Sequence, residues 1–355
     1  MVTGRSGRTK ERGARLAAVL GVDIRSLSQP DERRLARDVE AGLDRVEAVM
    51  RAEVAFADGL ADATTRYLLD AGGKRIRPVL ALLAAHLGDG ATDEVIRAAA
   101  AIEVVHLASL YHDDVMDEAQ LRRGVPSAQT VWGNSVAIIT GDLLFARASR
   151  IVADLGERAL RMQAETFERL CLGQLHETVG PRDGDDPIAH YLGVLADKTG
   201  SLIASAVEVG ARFGHAPEEW IAPLREYGEL VGIAFQLADD VIDLAPASSE
   251  TGKRPGTDLR AGVTTLPLLY LRQDAERGGE PAALLERLER ARAGDDDAEF
   301  AAAVAELRAH PVTERTLAEA RARAAAAMAV LDAIPDGPVR RAFTEFARRA
   351  VDREA

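Results

Sequence analysis

Apolar residues recur at three- and four-residue steps along most of the chain, which is the spacing that buries one face of a helix. The segment after Asp31 shows the pattern first, with Leu43, Val46 and Met50 on one face. Clusters of Gly and Pro interrupt the pattern and divide the chain into separate helical segments. These breaks lie at residues 72–73, 88–90, 124–126, 180–187, 246–256, 278–279 and 294–297. The pattern predicts an all-α protein of about ten or more helices, one of them over residues 95–117.

Composition narrows the class of protein further. Aromatic residues make up only 4% of the chain, and the long runs of Ala, Leu, Glu and Arg are rich in helix formers. Cys171 is the only cysteine, so an internal disulfide is excluded. Apolar runs such as that from Val79 to Ala85 are far shorter than the ~18 residues of a membrane span. The chain has 44 Lys+Arg against 57 Asp+Glu and a net charge of −13, which disfavours dedicated nucleic-acid binding.

The N-terminal residues differ from the rest of the chain. Residues 1–30 are basic, are interleaved with Gly and Ser, and lack the apolar core of a secretory signal. We therefore predict a basic, disordered N-terminal extension over residues 1–30 in a cytoplasmic protein. Because no later run of Pro, Gly or Ser is long enough to be a linker, residues 31–355 are predicted to form one all-helical domain.

Two matching acidic pentads are the sharpest feature of the sequence. Residues 113–117 read DDVMD and residues 239–243 read DDVID, each at the end of an apolar helical run. On a helix, the first and fifth residues of a pentad share a face, and the second lies about 100° round the axis. Such carboxylates repel one another unless a cation is present, and oxygen ligands without His or Cys favour Mg²⁺ (or Mn²⁺) over zinc. The predicted metal-binding residues are Asp113, Asp114, Asp117, Asp239, Asp240 and Asp243.

An anionic substrate bridged by metal also requires basic partners, and the sequence offers four groups. Residues 72–78 read GGKRIRP, in which three cations after a Gly-Gly turn suit a diphosphate. Arg122–Arg123 follow the first pentad, and Lys253–Arg254 follow the second. Lys198–Thr199 lie in a mainly apolar helical run, where a lysine without a partner would be costly.

The ordered set of motifs resembles the trans-prenyl diphosphate synthases (polyprenyl synthetases). The motifs are GGKRIRP, HDDVMDEAQLRRG, DKTGSL, FQLADDVIDL and GKRPGTDL, and the matches as a whole run in order from about residue 72 to residue 268. The resemblance implies an all-α fold of the isoprenoid synthase type, a single large helical bundle around a central cavity in which the two pentads face each other. It further implies a homodimer and a Mg²⁺-dependent prenyltransferase that condenses isopentenyl diphosphate with an allylic prenyl diphosphate.

The resemblance also assigns roles to individual residues. The aspartates bind Mg²⁺ ions that bridge the allylic diphosphate, Asp240 through water. The residues that correspond to isopentenyl diphosphate ligands are Lys74, Arg77, His106 and Arg123. The residues that correspond to groups on the allylic diphosphate are Arg122, Lys198 and Lys253, while Thr199 and Gln236 line the site of the developing cation. Without the resemblance, His106 reads as an ordinary core histidine, and no side-chain base stands out for the final proton transfer.

Product length depends on what blocks the tail as it grows away from the first pentad. Ser109 and Ala108 lie about 6 to 7.5 Å along the helix from Asp113, and both are small. Residues further from the pentad are also modest in size: Val105, Val104 and Ala101. We therefore predict a long-chain trans-polyprenyl diphosphate of roughly six to ten isoprene units. The alternative is a floor supplied by another helix, through Phe145 or Phe167.

Three other functions remain open at this point. A short-chain synthase that makes farnesyl or geranylgeranyl diphosphate is weakened by Val263, where many such enzymes carry a lysine. A class I terpene cyclase usually has a different second motif, and a non-catalytic synthase subunit commonly has degraded aspartate motifs. A long product is insoluble, so transient membrane contact during product release also stays open, although no basic amphipathic anchor is evident.

Overall fold

The computed structural model describes residues 14–20, 29–245, 255–294 and 296–352. The greater part of the predicted N-terminal extension and the candidate Lys253 lie outside these ranges. The described residues are α-helical apart from short connections and one two-stranded sheet. The all-α prediction is therefore confirmed.

The helices begin and end close to the predicted breaks. Those before the sheet are α1 (Ala14–Leu20), α2 (Pro30–Glu53), α3 (Gly59–Asp70), α4 (Ile76–Ala85) and α5 (Asp93–Met116). Those in the middle are α6 (Ala128–Trp132), α7 (Asn134–Ala153), α8 (Glu157–Val179), α9 (Pro187–Leu195), α10 (Ser201–Phe213) and α11 (Ile221–Asp243). The last are α12 (Thr257–Ala261), α13 (Leu266–Ala275), α14 (Glu280–Ala293), α15 (Asp297–Ala309), α16 (Pro311–Val330) and α17 (Pro338–Val351). A π-helical turn (Ala196–Gly200) joins α9 to α10, and 3₁₀ turns lie at Glu218–Trp220 and Leu331–Ala333.

The small sheet was not predicted from the sequence. Strands β1 (Leu121–Arg122) and β2 (Val125–Pro126) are antiparallel, with Leu121 opposite Pro126 and Arg122 opposite Val125. The two residues of the turn, Arg123 and Gly124, have φ angles of 53° and 78°. Positive φ at both positions is the type I′ geometry, whose twist matches that of a two-residue hairpin.

The chain divides into two compact units, each built from separated segments. Among the described residues, the first comprises those within 1–168, 202–228 and 330–346, and the second comprises those within 169–201, 229–329 and 347–355. The prediction of one domain over residues 31–355 stays a prediction.

Helix α5 forms the centre of the first unit, where it packs against α2, α4 and α7. Its side chains are buried on most sides, from Val95 near its start to Tyr111 near its end. Thr92 caps the helix, since its hydroxyl oxygen accepts the N–H of Val95 at 3.1 Å. By length and composition alone, α5 could cross a membrane, but it is mostly buried within the protein. The first pentad lies at the C-terminal end of this core helix.

The second unit has its own apolar core. Helix α14 packs against α13 and α15, and α9 packs against α13. The buried residues of these helices include Leu269, Leu271, Leu284, Leu288, Phe300, Val304 and Leu307. The second pentad ends α11, whose residues 229–243 belong to this unit.

Candidate active site

The first pentad covers the last turn of α5. The helix ends at Met116, and the N–H of Asp117 donates to the carbonyl oxygen of Asp113 at 2.8 Å. This hydrogen bond keeps the first and fifth residues one turn apart, as predicted. Asp113 is half-buried and Asp117 is exposed, so the end of the helix presents carboxylate oxygens toward solvent.

Asp114 points into the protein. Its carboxyl group is fully buried, and Arg122 Nε donates to Oδ1 at 2.6 Å. Burial raises the pKa of Asp114, although the charge and hydrogen bond of Arg122 oppose the rise. The other oxygen, Oδ2, is buried without a hydrogen-bond partner. A buried orphan oxygen of this kind is what a bound cation or a ligand donor would satisfy.

The hairpin sends its two arginines to different places. Arg122 contacts the pentad, while Arg123 Nη1 donates to the carbonyl oxygens of Leu68, at 2.7 Å, and of Gly72. Arg123 therefore holds the end of α3 and the start of the Gly-Gly loop. Its predicted role as a diphosphate ligand stays a prediction.

The GGKRIRP loop does not present all three of its cations to solvent. Arg75 is 4% exposed and lies in the left-handed region at φ 54°. Its Nε donates to Glu47 at 2.5 Å, and its Nη1 lies 3.4 Å from Glu103. The expectation that all three cations suit a diphosphate is therefore wrong for Arg75, because its charge is already paired inside the protein. Lys74, beside it, is exposed.

Gly73 lies directly over two of these guanidinium groups. A Cβ atom there would be 2.9 Å from Arg75 Nη1 and 3.0 Å from Arg123 Cζ, and its φ is +140°. Only glycine satisfies both the contact and the backbone angle. The Gly-Gly pair thus packs onto the arginines in addition to forming a turn.

Helix α5 and the loop bring His106 and Arg77 into one cationic cluster. The pKa of His106 is lowered well below 6.5, first by burial and then by the charges of Arg77 and Arg123. His106 is therefore neutral near pH 7, and one ring nitrogen can donate while the other accepts. Burial also lowers the pKa of Arg77, whose Nε has no hydrogen-bond partner.

Sequence reasoning missed Glu103, which lies one turn before His106. It is 2% exposed, and burial raises its pKa against the opposing charges of Arg75, Arg77 and Arg123. Its position as the only charged residue between Arg97 and Asp113 could have revealed it. Glu103 is the internal counter-charge of the cationic cluster.

The second pentad has a different environment. Asp240 is 2% exposed, and its Oδ2 accepts the hydroxyl of Tyr191 at 2.6 Å and the N–H of Leu266 at 3.3 Å. Burial raises the pKa of Asp240 to about 8. This carboxyl group holds α9 and the start of α13, and its predicted contact with metal through water stays a prediction. Tyr191 carried no signal that the sequence analysis used.

The other aspartates of this pentad are half-buried. Asp243 holds the chain where the described residues resume after residue 254. Its carbonyl oxygen accepts the N–H of Gly256 at 2.7 Å. Its Oδ2 accepts the N–H of Asp258 at 3.1 Å. Lys253 belongs to residues 246–254, which lie outside the described ranges.

Lys198 and Thr199 lie on the π-helical turn. Lys198 Nζ donates to Glu177 at 2.5 Å, so its charge has an acidic neighbour on α8. The Thr199 hydroxyl donates to the side-chain oxygen of Gln236 at 3.5 Å. The structure thus brings together the two residues that were predicted to line the site of the developing cation.

The carboxylates fit hard divalent cations that arrive with a ligand. Among the side chains that the structure describes, no three of His, Cys, Asp or Glu already converge on one metal position. Mg²⁺ usually takes only one or two protein carboxylates and completes its shell with water and phosphate oxygens. The aspartates at the end of α5, together with the orphan oxygen of Asp114, match that donor set, and the half-buried aspartates at the end of α11 match it separately.

A pocket lies within the first unit beside α5, where its lining runs from Ala98 to Val105. Its lining residues are Ala98, Ala101, Ile102, Val105, Val152, Leu155, Ala159, Gln163, Thr166, Leu202, Ser205, Val209 and Phe213. Neither Phe145 nor Phe167 lines it. These two rings contact each other at a tilt of 49°, with centroids 4.3 Å apart, and the ring centroid of Phe145 lies 5.6 Å from that of His112. The pocket is apolar and is walled on the α5 side by small or medium-sized side chains.

Comparisons with known proteins agree with this arrangement. The family model of polyprenyl synthetases matches residues 59–307. The chain is 45% identical over 338 residues to nonaprenyl diphosphate synthase of Mycobacterium tuberculosis, covering 94% of this chain and 97% of the relative. A polyprenyl synthase of Caulobacter crescentus, solved with calcium and isoprenyl diphosphate, has a TM-score of 0.81 at 34% identity and covers 91% and 98% of the two chains. A geranylgeranyl pyrophosphate synthase of Corynebacterium glutamicum, solved with the same ligands, has a TM-score of 0.78 at 40% identity and covers 92% and 98%.

Proposed function

The chain belongs to the polyprenyl synthetase family, and from that premise we propose that it extends an allylic prenyl diphosphate with isopentenyl diphosphate to a long-chain trans-polyprenyl diphosphate. The observation that carries the long-chain proposal is the apolar pocket beside α5, whose α5 wall has only small or medium-sized side chains to block a growing tail. The name of the nonaprenyl relative supports the same product class.

The cationic cluster of the first unit suits the diphosphate of isopentenyl diphosphate. Arg77 and the exposed Lys74 supply positive charge at the start of α4. Neutral His106 adds a hydrogen-bond donor that does not further increase the repulsion within the cluster. Because the nucleophile is a weak alkene, holding it in line with the allylic carbon is most of the work.

The pentads suit the allylic diphosphate. A divalent cation belongs to the chemistry of this family, and we propose Mg²⁺, with Mn²⁺ as the alternative. When bound, it would stabilise the negative charge of the leaving diphosphate. Asp113 and Asp117 would hold such a cation in the first unit, and Asp239 and Asp243 would hold one in the second unit. Arg122 and Lys198 would add positive charge to the same leaving group.

The residues around Thr199 suit the cation that remains after diphosphate leaves. The hydroxyl of Thr199 and the side-chain oxygen of Gln236 offer oxygen dipoles at 3.5 Å from each other. Such dipoles stabilise a developing positive charge without forming a bond to it. The departing diphosphate is the proposed acceptor of the final proton.

The depth of the pocket bears on product length. Val105 and Ala98 lie 8 and 15 residues before Asp113, so the pocket follows α5 from about 12 to about 22 Å beyond the pentad. An extended isoprene unit has four chain bonds of about 1.5 Å and spans about 5 Å. The path from Asp113 to Ala98 therefore takes about four units, about two of them beside the α5 wall of the pocket, and a tail of six to ten units must continue past Ala98. Release of such a product at a membrane surface is part of the proposal.

A homodimer is also part of the proposal. Two consecutive isoleucines of α7, Ile138 and Ile139, are 42% and 58% exposed. Three aliphatic residues on one face of α8, Leu172, Leu175 and Val179, are at least 41% exposed. Exposed aliphatic rows of this kind favour burial against a second copy of the chain. Light scattering after size exclusion should give twice the chain mass of 38.0 kDa, and a monomer would contradict this part.

One incubation tests the proposed activity. The purified chain receives Mg²⁺, isopentenyl diphosphate and a set of allylic primers, and the products are dephosphorylated and measured by mass spectrometry. A series of trans products that ends above four isoprene units is the expected result, whereas a series that ends at three or four would favour a short-chain synthase. A cyclised product without consumption of isopentenyl diphosphate would indicate a terpene cyclase, and inactivity of the chain alone would indicate a non-catalytic subunit. The cytoplasmic location stays a prediction.

A further inference from the structure

The π-helical turn that carries Lys198 and Thr199 has its own set of supporting contacts. In this turn the N–H of Ser201 donates to the carbonyl oxygen of Ala196, five residues earlier. In a regular α-helix it would donate to Asp197, four residues earlier. Single π-helical turns are rare, and they are frequent at functional sites. Specific contacts must therefore maintain the altered register of this turn.

Ser201 makes one of the contacts that maintain this register. Its hydroxyl donates to the carbonyl oxygen of Asp197 at 2.5 Å, which is the oxygen that the N–H of Ser201 leaves free. The side chain is 3% exposed, so water is largely kept from competing for this oxygen. The hydroxyl therefore replaces the hydrogen bond that an α-helical register would have made.

Arg169 on α8 makes the other contacts that maintain this register. Its Nε donates to the carboxylate of Asp197 at 2.8 Å, and its Nη1 donates to Glu229 on α11 at 2.8 Å. Its Nη2 donates to the carbonyl oxygen of Ala196 at 3.4 Å. One planar guanidinium thus joins both a side chain and a carbonyl of the π-helical turn to a second helix.

Glycine lets α8 lie close enough for this contact. A Cβ atom at Gly173 would be 2.7 Å from the backbone nitrogen of Lys198. The backbone of α8 therefore touches the π-helical turn one helical turn after Arg169. Arg169 and Gly173 together place α8 as a support for the turn.

We propose that Arg169 is a positioning residue for the allylic half of the site. By holding Asp197 and Ala196 in the π-helical register, it sets the direction in which Lys198 and Thr199 leave the helix. Relaxation to an α-helical register would rotate these side chains by about 100° per residue of shift. The inference rests on the proposed function, because that function gives Lys198 the allylic diphosphate and Thr199 the developing cation.

The test compares Arg169→Gln with Arg212→Gln. Arg212 is a matched control, because it is also half-buried and also joins two carboxylates, Glu208 at 2.7 Å and Glu218 at 2.9 Å. Neither variant changes a residue that is assigned to touch substrate. Three quantities are measured for each protein: the thermal midpoint, the KM for each substrate with kcat, and amide hydrogen exchange in the peptide that covers residues 194–203.

Arg169→Gln should raise the KM for the allylic primer and lower kcat, with a combined loss in kcat/KM of about 10- to 100-fold, as expected for a lost charged contact. The KM for isopentenyl diphosphate should change less than about twofold. Amide exchange in residues 194–203 should become faster. Arg212→Gln should lose similar thermal stability with none of these changes. Arg169→Lys, which keeps the charge and loses the planar fork, should stay impaired.

Two results would overturn the inference. One is kinetics of Arg169→Gln that match those of Arg212→Gln at equal loss of stability. The other is unchanged amide exchange in residues 194–203, because the turn would then not depend on Arg169. A wild-type chain that binds no allylic diphosphate would instead overturn the proposed function, and the exchange rates would still decide whether Arg169 holds the turn.

Discussion

Phenylalanine at Ala101, in the α5 wall of the pocket, or at Ala108, two turns nearer the first pentad, should shorten the product by a number of isoprene units that the helix geometry sets. Ala108 and Ala101 lie five and twelve residues before Asp113, about 7.5 and about 18 Å along the axis. At about 5 Å per extended isoprene unit, the difference of about 10 Å corresponds to about two units. Ala108→Phe should therefore give a main product about two units shorter than that of Ala101→Phe, and both should be shorter than wild type.

The two substitutions differ in their cost to stability. Ala101 borders the pocket, so a phenyl ring there fills space that already exists. Ala108 is fully buried and does not line the pocket, so the same ring should destabilise the protein by about 1–3 kcal/mol. Chemical denaturation of each variant shows whether it is folded under assay conditions. Ala101→Phe alone tests the reasoning if Ala108→Phe fails to fold.

The assay is product mass after exhaustive extension of one allylic primer. The control is Ala222→Phe, which adds the same ring at an exposed position of α11 and should leave the product unchanged. An unaltered product in Ala101→Phe, or a shorter product from Ala101→Phe than from Ala108→Phe, would refute the proposal that positions along α5 set the product length.

Three further predictions concern the charged groups. Asp113→Asn and Asp239→Asn should each lower kcat by at least about 100-fold with little change in thermal midpoint, and near wild-type turnover would remove that residue from the site. Glu103→Gln should lower the free energy of unfolding by about 3 kcal/mol in urea titrations, because it leaves buried arginine charge without its partner. Glu47→Gln changes a side chain that is 20% exposed and should lower the free energy of unfolding by less. The folded-state pKa of His106 lies below 6.5, so the unfolded chain binds the extra proton and stability should fall as the pH drops below about 6.5. His106→Gln should reduce the dependence of the thermal midpoint on pH between pH 5 and 7, and an unchanged pH dependence would contradict a neutral His106.

The helices were predictable because burial of one face imposes a period that the sequence displays directly. The predicted helix over residues 95–117 differs from α5 by only two residues at its start and one at its end. The hairpin at Leu121–Pro126 was not predictable in the same way. Its strands are two residues long, and its turn depends on a positive φ at Arg123, which a non-glycine residue rarely adopts.

The candidate site shows the same division between composition and direction. Residue type and order were enough to name the pentads and the basic groups, because charge is visible in a sequence. The direction of each side chain was not visible: Arg75 turns inward to Glu47, and Asp240 bonds to Tyr191. Such pairings join residues 28 and 49 positions apart, and only tertiary structure decides them. The register of the π-helical turn also depends on a distant residue, Arg169.

Helix α5 has a consequence for how the protein is made. Its 24 residues are apolar enough to pass for a membrane segment before the rest of the chain is available to bury them. Glu103 lies near the middle of that stretch, where a carboxylate costs about 3 kcal/mol on insertion into a bilayer. The glutamate that neutralises arginines in the folded protein would thus also disfavour insertion of the nascent chain into a membrane. A leucine at this position would remove both safeguards at once, and it would turn a folding core into a candidate stop-transfer sequence.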